Sequence, residues 1–186
     1  GYDGTIDGAL SLDGLDDYVE VFQTKGLPLC LHKAFTIAMW VKGIPQADRR
    51  VYCEGFRLPA ERNPLFTLGT HNAATTGAAD HFVRGDTGIN PVNHAHSARN
   101  AFDDTWHHLA VVDNNGDAAF YIDGIRDATH VTYVRPFMSP TVTAIGAVVR
   151  NVAGYYFAGA IDDVRLYNYA LAENEILAFV PEPAGC

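Results

Sequence analysis

The chain lacks the features that would place it in several large classes of protein. No apolar stretch comes near the roughly 20 residues that a membrane-spanning helix needs. Its three cysteines, Cys30, Cys53 and Cys186, fit no zinc spacing and no Cys-x-x-Cys redox motif. Lys and Arg total 13 against 22 Asp and Glu, a formal net charge of −9. That balance argues against nucleic acid and anionic membrane surfaces, which want clustered cations. It suits neutral sugars and divalent cations. There is no Asn-x-Ser/Thr acceptor, no Gly-x-Ser-x-Gly elbow, no phosphate loop and no His-Glu-x-x-His. The chain opens on Gly1 without Met and without a charged and apolar leader, so it is expected to be a mature or excised piece.

What is present is a sequence of short alternating runs. At 186 residues and 48% hydrophobic, the chain can bury a real core as one domain. Phe35–Lys42 alternates with period two, as a half-buried strand does. So do Trp106–Val112 and Ala118–Gly124, and between them Asp113-Asn114-Asn115-Gly116-Asp117 reads as a tight hairpin turn. Val142–Gly146 and Tyr155–Phe157 read as further strands. Seventeen glycines and nine prolines punctuate these runs. Helical periodicity is confined to Leu171–Val180, where Glu173 and Glu175 suit the positive end of a helix dipole. The pattern predicts an all-β fold, a two-sheet antiparallel sandwich with a short C-terminal helix. Residues 1–180 are expected to form one domain, and 181–186, with Pro181 and Pro183, a linker or chain end.

One stretch breaks the rhythm. Residues 70–101 are polar, and only His81–Arg84 reads as a strand, so the segment is expected to form long loops that carry a binding surface. Cys30 and Cys53 flank one strand. Either they bridge, closing a loop worth about 3 kcal/mol in the chain-entropy picture, or they are two buried free thiols.

Two acidic blocks answer each other from opposite ends, Leu12-Asp13-Gly14-Leu15-Asp16-Asp17-Tyr18-Val19 and Gly159-Ala160-Ile161-Asp162-Asp163-Val164-Arg165-Leu166-Tyr167-Asn168. Taken in order with Phe35-Thr36-Ile37-Ala38-Met39-Trp40-Val41, Trp106-His107-His108-Leu109-Ala110-Val111 and Phe120-Tyr121-Ile122-Asp123-Gly124, they resemble the laminin-G-like, concanavalin-A-like jelly-roll family, a pentraxin-like sandwich. The resemblance runs from about Gly8 to Val180. It implies two sheets packed face to face with the first and last strands adjacent. It also implies a non-catalytic module, extracellular or on a cell surface, that binds glycan and holds a structural Ca²⁺. A protein-interaction or adhesion module, with other surface proteins as partners, is the alternative.

For calcium, a hard cation served by six to eight oxygens, the expected ligands are Asp13 and Asp16 in the N-terminal turn, with Asp162 across from them. The same aspartates could instead make Asx-turns. For a glycan, Tyr155 and Tyr156 offer rings for stacking, and Arg57, Arg84, His71, Asn72 and Asp86 offer hydrogen bonds from the long loops. His94 and His96 would share a face of an extended segment, and with His71 or His81 they would make a zinc set. The bland reading keeps them as loop polar residues. Trp40 and Trp106 are assigned to the core, and Arg84-Gly85-Asp86 to a turn. Adjacent acids such as Asp162-Asp163 point to opposite faces of a strand, so they cannot flank one glycosidic bond. Nucleic acid and membrane insertion are not expected.

Overall fold

A computed structural model describes residues 1–6, 8–21, 26–57 and 63–181. In chain order its strands are β1 (Leu10–Asp13), β2 (Val19–Val21), β3 (Ala34–Lys42), β4 (Arg50–Gly55), β5 (Leu65–Thr70), β6 (Ala78–Arg84), β7 (Val92–Asn100), β8 (His107–Asn114), β9 (Asp117–Ile122), β10 (Ile125–Thr132), β11 (Val142–Ile145), β12 (Val148–Val149), β13 (Ala153–Gly154) and β14 (Ala158–Tyr167), and one helix follows, α1 (Glu173–Leu177). They form two six-stranded antiparallel sheets, ordered β1-β14-β3-β8-β9-β10 and β2-β11-β4-β5-β6-β7, with β12 and β13 as a small ribbon. The fold is a jelly-roll sandwich.

Alternation decides which residues meet between the sheets. Phe35, Ile37, Met39 and Val41 of β3 face Phe66, Leu68 and Val83 of the second sheet across one apolar core. Leu109 and Val111 of β8, and Phe120 and Ile122 of β9, belong to it too. The alternate residues of the first sheet, Ala38, Ala110, Val112 and Tyr121, face outward and are covered by Leu171 and Ile176 around α1. Asn115 and Gly116 join β8 to β9 with φ of 59° and 87°, the two left-handed residues a tight hairpin of this twist requires. β1 pairs with β14, so the two ends of the chain do lie side by side, with Leu10 opposite Ile161 and Asp13 opposite Ala158.

Several expectations need correction. The stretch 70–101 is mostly sheet, since β6 and β7 occupy Ala78–Arg84 and Val92–Asn100. The helix is five residues long rather than ten. Tyr155–Phe157 is not a strand; Tyr156 makes one isolated bridge to Arg50. Cys30 and Cys53 are free and buried. Cys30 packs in the core between the sheets and Cys53 in a second cluster with Phe82, Val148 and Val149 on the outer side, so the two thiols do not face each other. Burial pushes the Cys53 thiol up to about 12. Trp40 is buried but on the outer face of the first sheet, stacked on Tyr2 at 4.4 Å, and Trp106 is only half-buried. The segment read as a linker falls outside the described residues from 182 on.

One buried carboxylate organises the chain between β2 and β3. Glu54, fully buried on β4, accepts the backbone N–H groups of Leu29 and Cys30 and the hydroxyl of Tyr52 at 2.7 Å. It thereby holds the 3₁₀ turn Leu29–Leu31 against the sheet.

Candidate functional site

The outer face of the second sheet is apolar at one end and polar at the other. The ribbon of β12 and β13 covers Cys53, Leu65 and Phe82. Beyond it β4, β6 and β7 turn Arg50, Asp80, Arg84, His94 and His96 to the same side. A cavity of about 140 Å³ opens here, lined by Asp48, Arg50, Leu65, Phe82, Arg84, His94, Val148, Arg150 and Tyr155. A space of roughly 150 Å³ accommodates a six-membered ring.

Its electrostatics are set by three arginines in an otherwise acidic protein. Arg50 is buried and paired with both Asp48 and Asp80. Arg84 and Arg150 have no carboxylate partner among the described residues. Arg84 donates Nε–H to the Asn63 carbonyl at 2.8 Å, and its buried Nη2 has no hydrogen-bond partner among the described residues. Burial, and then the nearby charge of Arg150, hold the Arg84 guanidinium below its ordinary pKa. Like charges brought together in this way favour an anion between them. The guanidiniums rest on aromatic faces, Arg84 over Phe82 at 5.6 Å and Arg150 over Tyr155 at 5.5 Å. Tyr155 is exposed, and its φ of 56° is the left-handed conformation that a tyrosine seldom adopts.

Beside the cavity stands a group of Asp80, His94 and His96 whose ligand atoms all lie within 4.8 Å of one another. Asp80 is directly opposite His96 across the β6–β7 ladder. The register then slips. One residue of β6 faces two of β7, and His94 takes φ of 61° at that bulge. His94 Nδ1 lies 2.9 Å from Asp80 Oδ2 and His96 Nε2 lies 3.0 Å from the same oxygen. Burial pulls the His96 imidazole below its ordinary pKa, favouring the neutral ring.

The expected site residues separate on this geometry. Arg84 and Tyr155 meet in the cavity. His71 does not line it. Its ring stacks on His96 at 3.8 Å, and its nitrogens are engaged by Ala73 N–H at 3.0 Å and the Thr75 hydroxyl at 3.2 Å. Asn72 sits half-exposed in the turn after β5. Asp86 turns away and accepts from the Ser139 N–H at 2.9 Å and hydroxyl at 2.6 Å. Tyr156 packs beside Tyr18, and Arg57 pairs with Glu20. His81 points into the core against Phe66, because it follows Asp80 on the strand and must face the other way.

The acidic blocks also separate. Asp13, Asp16 and Asp17 bring their carboxylates together on the surface. Asp13 Oδ1 accepts from Leu15 N–H at 2.8 Å, an Asx-turn, and Asp17 Oδ2 from Asp13 N–H at 3.1 Å. Asp162 is not in this group. Asp13 faces Ala158, so Asp162 lies four residues farther along β14. Its Oδ2 accepts from Tyr2 N–H at 3.1 Å, which ties the N-terminal segment down.

A family model described as the concanavalin A-like lectin/glucanases superfamily (Laminin_G_3) matches residues 13–177. The chain belongs to this superfamily. No curated protein sequence matches it. Solved structures with the same fold include domain 4 of an extracellular GH43 arabinanase from Geobacillus stearothermophilus in complex with arabinotriose. It is 20% identical, with a TM-score of 0.69 over 96% of this chain and 79% of that one. The sialidase CBM40 of Ruminococcus gnavus bound to α2,3 sialyllactose is 15% identical, with a TM-score of 0.68 over 93% and 98% of the two chains. A heptameric SAP-like pentraxin from Limulus polyphemus is 13% identical, with a TM-score of 0.61 over 92% and 80%. At these identities the likeness is one of fold.

The superfamily member's site was only partly visible in its sequence. Arg50, Asp80, Phe82 and Arg150 were missed. They lie on three different elements and come together only through the sheet order. The one local signal was the His94-x-His96 spacing.

Proposed function

We propose that this module binds a carbohydrate in the cavity on the outer face of the second sheet and performs no chemistry on it. The observation that carries the reading is the buried Nη2 of Arg84, without a partner among the described residues and set beside Arg150 and the exposed ring of Tyr155. A ring face for the sugar and polar groups for its substituents are what carbohydrate recognition asks of a site. The paired guanidiniums favour a sugar bearing a carboxylate over the neutral glycan that the overall charge suggested. The glycan complexes of two solved structures with this fold support the class of ligand. An extracellular or cell-surface setting goes with this reading.

Calcium belongs to the same proposal. Asp13, Asp16 and Asp17 make an all-oxygen donor set on the surface, chemically suited to Ca²⁺, with Asp17 in the place expected for Asp162. There the ion would brace the turn between β1 and β2.

A glycan array that includes sialylated, uronate-bearing and neutral sugars tests the binding. Acidic glycans should be retained, and Arg84→Gln should weaken them by about 1.5–3 kcal/mol, the value of a charge-assisted hydrogen bond. Unchanged binding in that variant would overturn the assignment of the cavity. The adhesion alternative has a surface of its own in Ile89, Val134 and Phe137, which are exposed on loops beside the sandwich edge. A blank array together with a cross-linked protein partner lost in Phe137→Ser would decide for it.

A further inference from the structure

We infer that Asp80, His94 and His96 form a binding site for a zinc-class divalent cation. Three observations converge. The donor set is one carboxylate and two imidazoles, the mixture that zinc and its transition-metal neighbours take and that the hard cations Ca²⁺ and Mg²⁺ do not. The donor atoms are already gathered, with both ring nitrogens at 2.9 Å and 3.0 Å from Asp80 Oδ2. Ligands about 2.0–2.1 Å from a tetrahedral zinc lie roughly 3.3 Å apart, so each imidazole already stands within a few tenths of an ångström of the spacing from the Asp80 oxygen that a shared ion sets. Third, His96 Nε2 is buried and, among the described residues, has no partner besides the Asp80 carboxylate oxygen 3.0 Å away. A ring nitrogen whose one neighbour is a carboxylate oxygen that a second imidazole also approaches suits two ligands of one ion.

The surroundings hold the set in place. Arg50 donates to the other oxygen of Asp80 and is itself anchored by Asp48, so the carboxylate is oriented with Oδ2 toward the histidines, as partners of metal ligands commonly arrange. Phe82 packs on the His94 ring at 5.1 Å and His71 on the His96 ring at 3.8 Å. His71 is not a fourth protein ligand, because both its nitrogens are engaged. Three protein ligands leave a position open. His94 also lines the cavity, so that position would be offered to whatever the cavity holds. The side chains of His94 and His96 are 25% and 29% exposed, which gives the ion a way in.

Titration with Zn²⁺ alone tests the site, and it uses no glycan, so its failure and that of the carbohydrate reading are separate results. Calorimetry on the whole chain should give one equivalent of tight binding, undisturbed by excess Ca²⁺. The thermal midpoint should rise by roughly 5–10 °C at a hundredfold excess over Kd. His94→Gln and His96→Gln should each weaken binding by more than the roughly 100-fold that losing a ligand's partner costs. His130→Gln, an exposed histidine on β10, should leave it intact. Anomalous scattering at the zinc edge from crystals of the unaltered protein should place the ion between Asp80, His94 and His96, and this readout stands even if a variant fails to fold. Absence of binding at micromolar Zn²⁺, an anomalous peak elsewhere, or full stoichiometry in the double variant would overturn the proposal.

Discussion

His108 should make the sandwich acid-sensitive in a window where carboxylates are still charged. The ring is 2% exposed on the outer face of the first sheet, between Trp40 at 5.5 Å and Phe179 at 5.6 Å, and its Nδ1 has no hydrogen-bond partner among the described residues. Burial pulls its pKa from 6.5 down to about 4. The unfolded chain therefore takes up the proton first. Stability falls as pH drops below 6.5 and stops falling, on this group's account, near 4. Integrating the two titrations gives a loss of about 1.4 kcal/mol at pH 5.5 and about 2.5 kcal/mol at pH 4.5. Its neighbour His107 works in the opposite sense. Its hydrogen bond to the Asp123 carboxylate raises its pKa, so its contribution is present below the unfolded value and is lost as pH rises through the folded one. Comparing the wild type with His108→Leu cancels His107 and isolates the buried ring. Urea melts at pH 7.0, 5.5 and 4.5 should show the variant gaining on the wild type by those amounts as pH falls. A gap between the two that does not change with pH would refute the reasoning.

Three further outcomes follow from the geometry. Glu54→Ala strips the buried N–H groups of Leu29 and Cys30 and the Tyr52 hydroxyl of their acceptor, and should cost about 3–5 kcal/mol in a denaturant melt. Gly55→Ala should also destabilise, by about 1–3 kcal/mol, because the new Cβ would collide with the Val149 carbonyl oxygen where the ribbon crosses β4. Added Ca²⁺ should raise the thermal midpoint of the unaltered chain and of Asp162→Asn, but not that of Asp13→Asn. Equal responses in all three would count against the N-terminal turn as the calcium site.

The parts of the fold that were legible are those where one face of a strand is apolar throughout. Phe35, Ile37, Met39 and Val41 alternate without interruption, and Asn115-Gly116 marks the turn after β8, so the central strands of the first sheet could be read directly. The second sheet hides its pattern for a physical reason. The outward positions of β6 and β7 carry Asp80, Arg84, His94 and His96, polar side chains that line the cavity or stand beside it, and the bulge at His94 shifts the phase by one residue. A strand with polar residues on one side and a slipped register resembles a loop in sequence. A bulge also interrupts the alternation of β14. The register slips between Asp162 and Arg165, where Asp163 takes φ of 46°, and the alternation used to place these acids does not hold across it. Asp13 and Asp16 could be placed in one turn because they are local, whereas Asp17, which joins their carboxylates, was not singled out. The long-range partner of Asp162, the backbone of Tyr2, was not.

The pairing of β1 with β14 has a mechanical consequence. The strands run antiparallel, and the chain enters β1 opposite Ile161 while it leaves β14 at Tyr167, toward the same end of the sheet. A pulling force applied through the two ends would load the ladder bonds one after another instead of all together. The first sheet would open by peeling, starting where Tyr2 lies on Trp40 and its N–H on Asp162. A sandwich built this way yields at low force, and the stacked tyrosine and the Asp162 carboxylate act as its first latch.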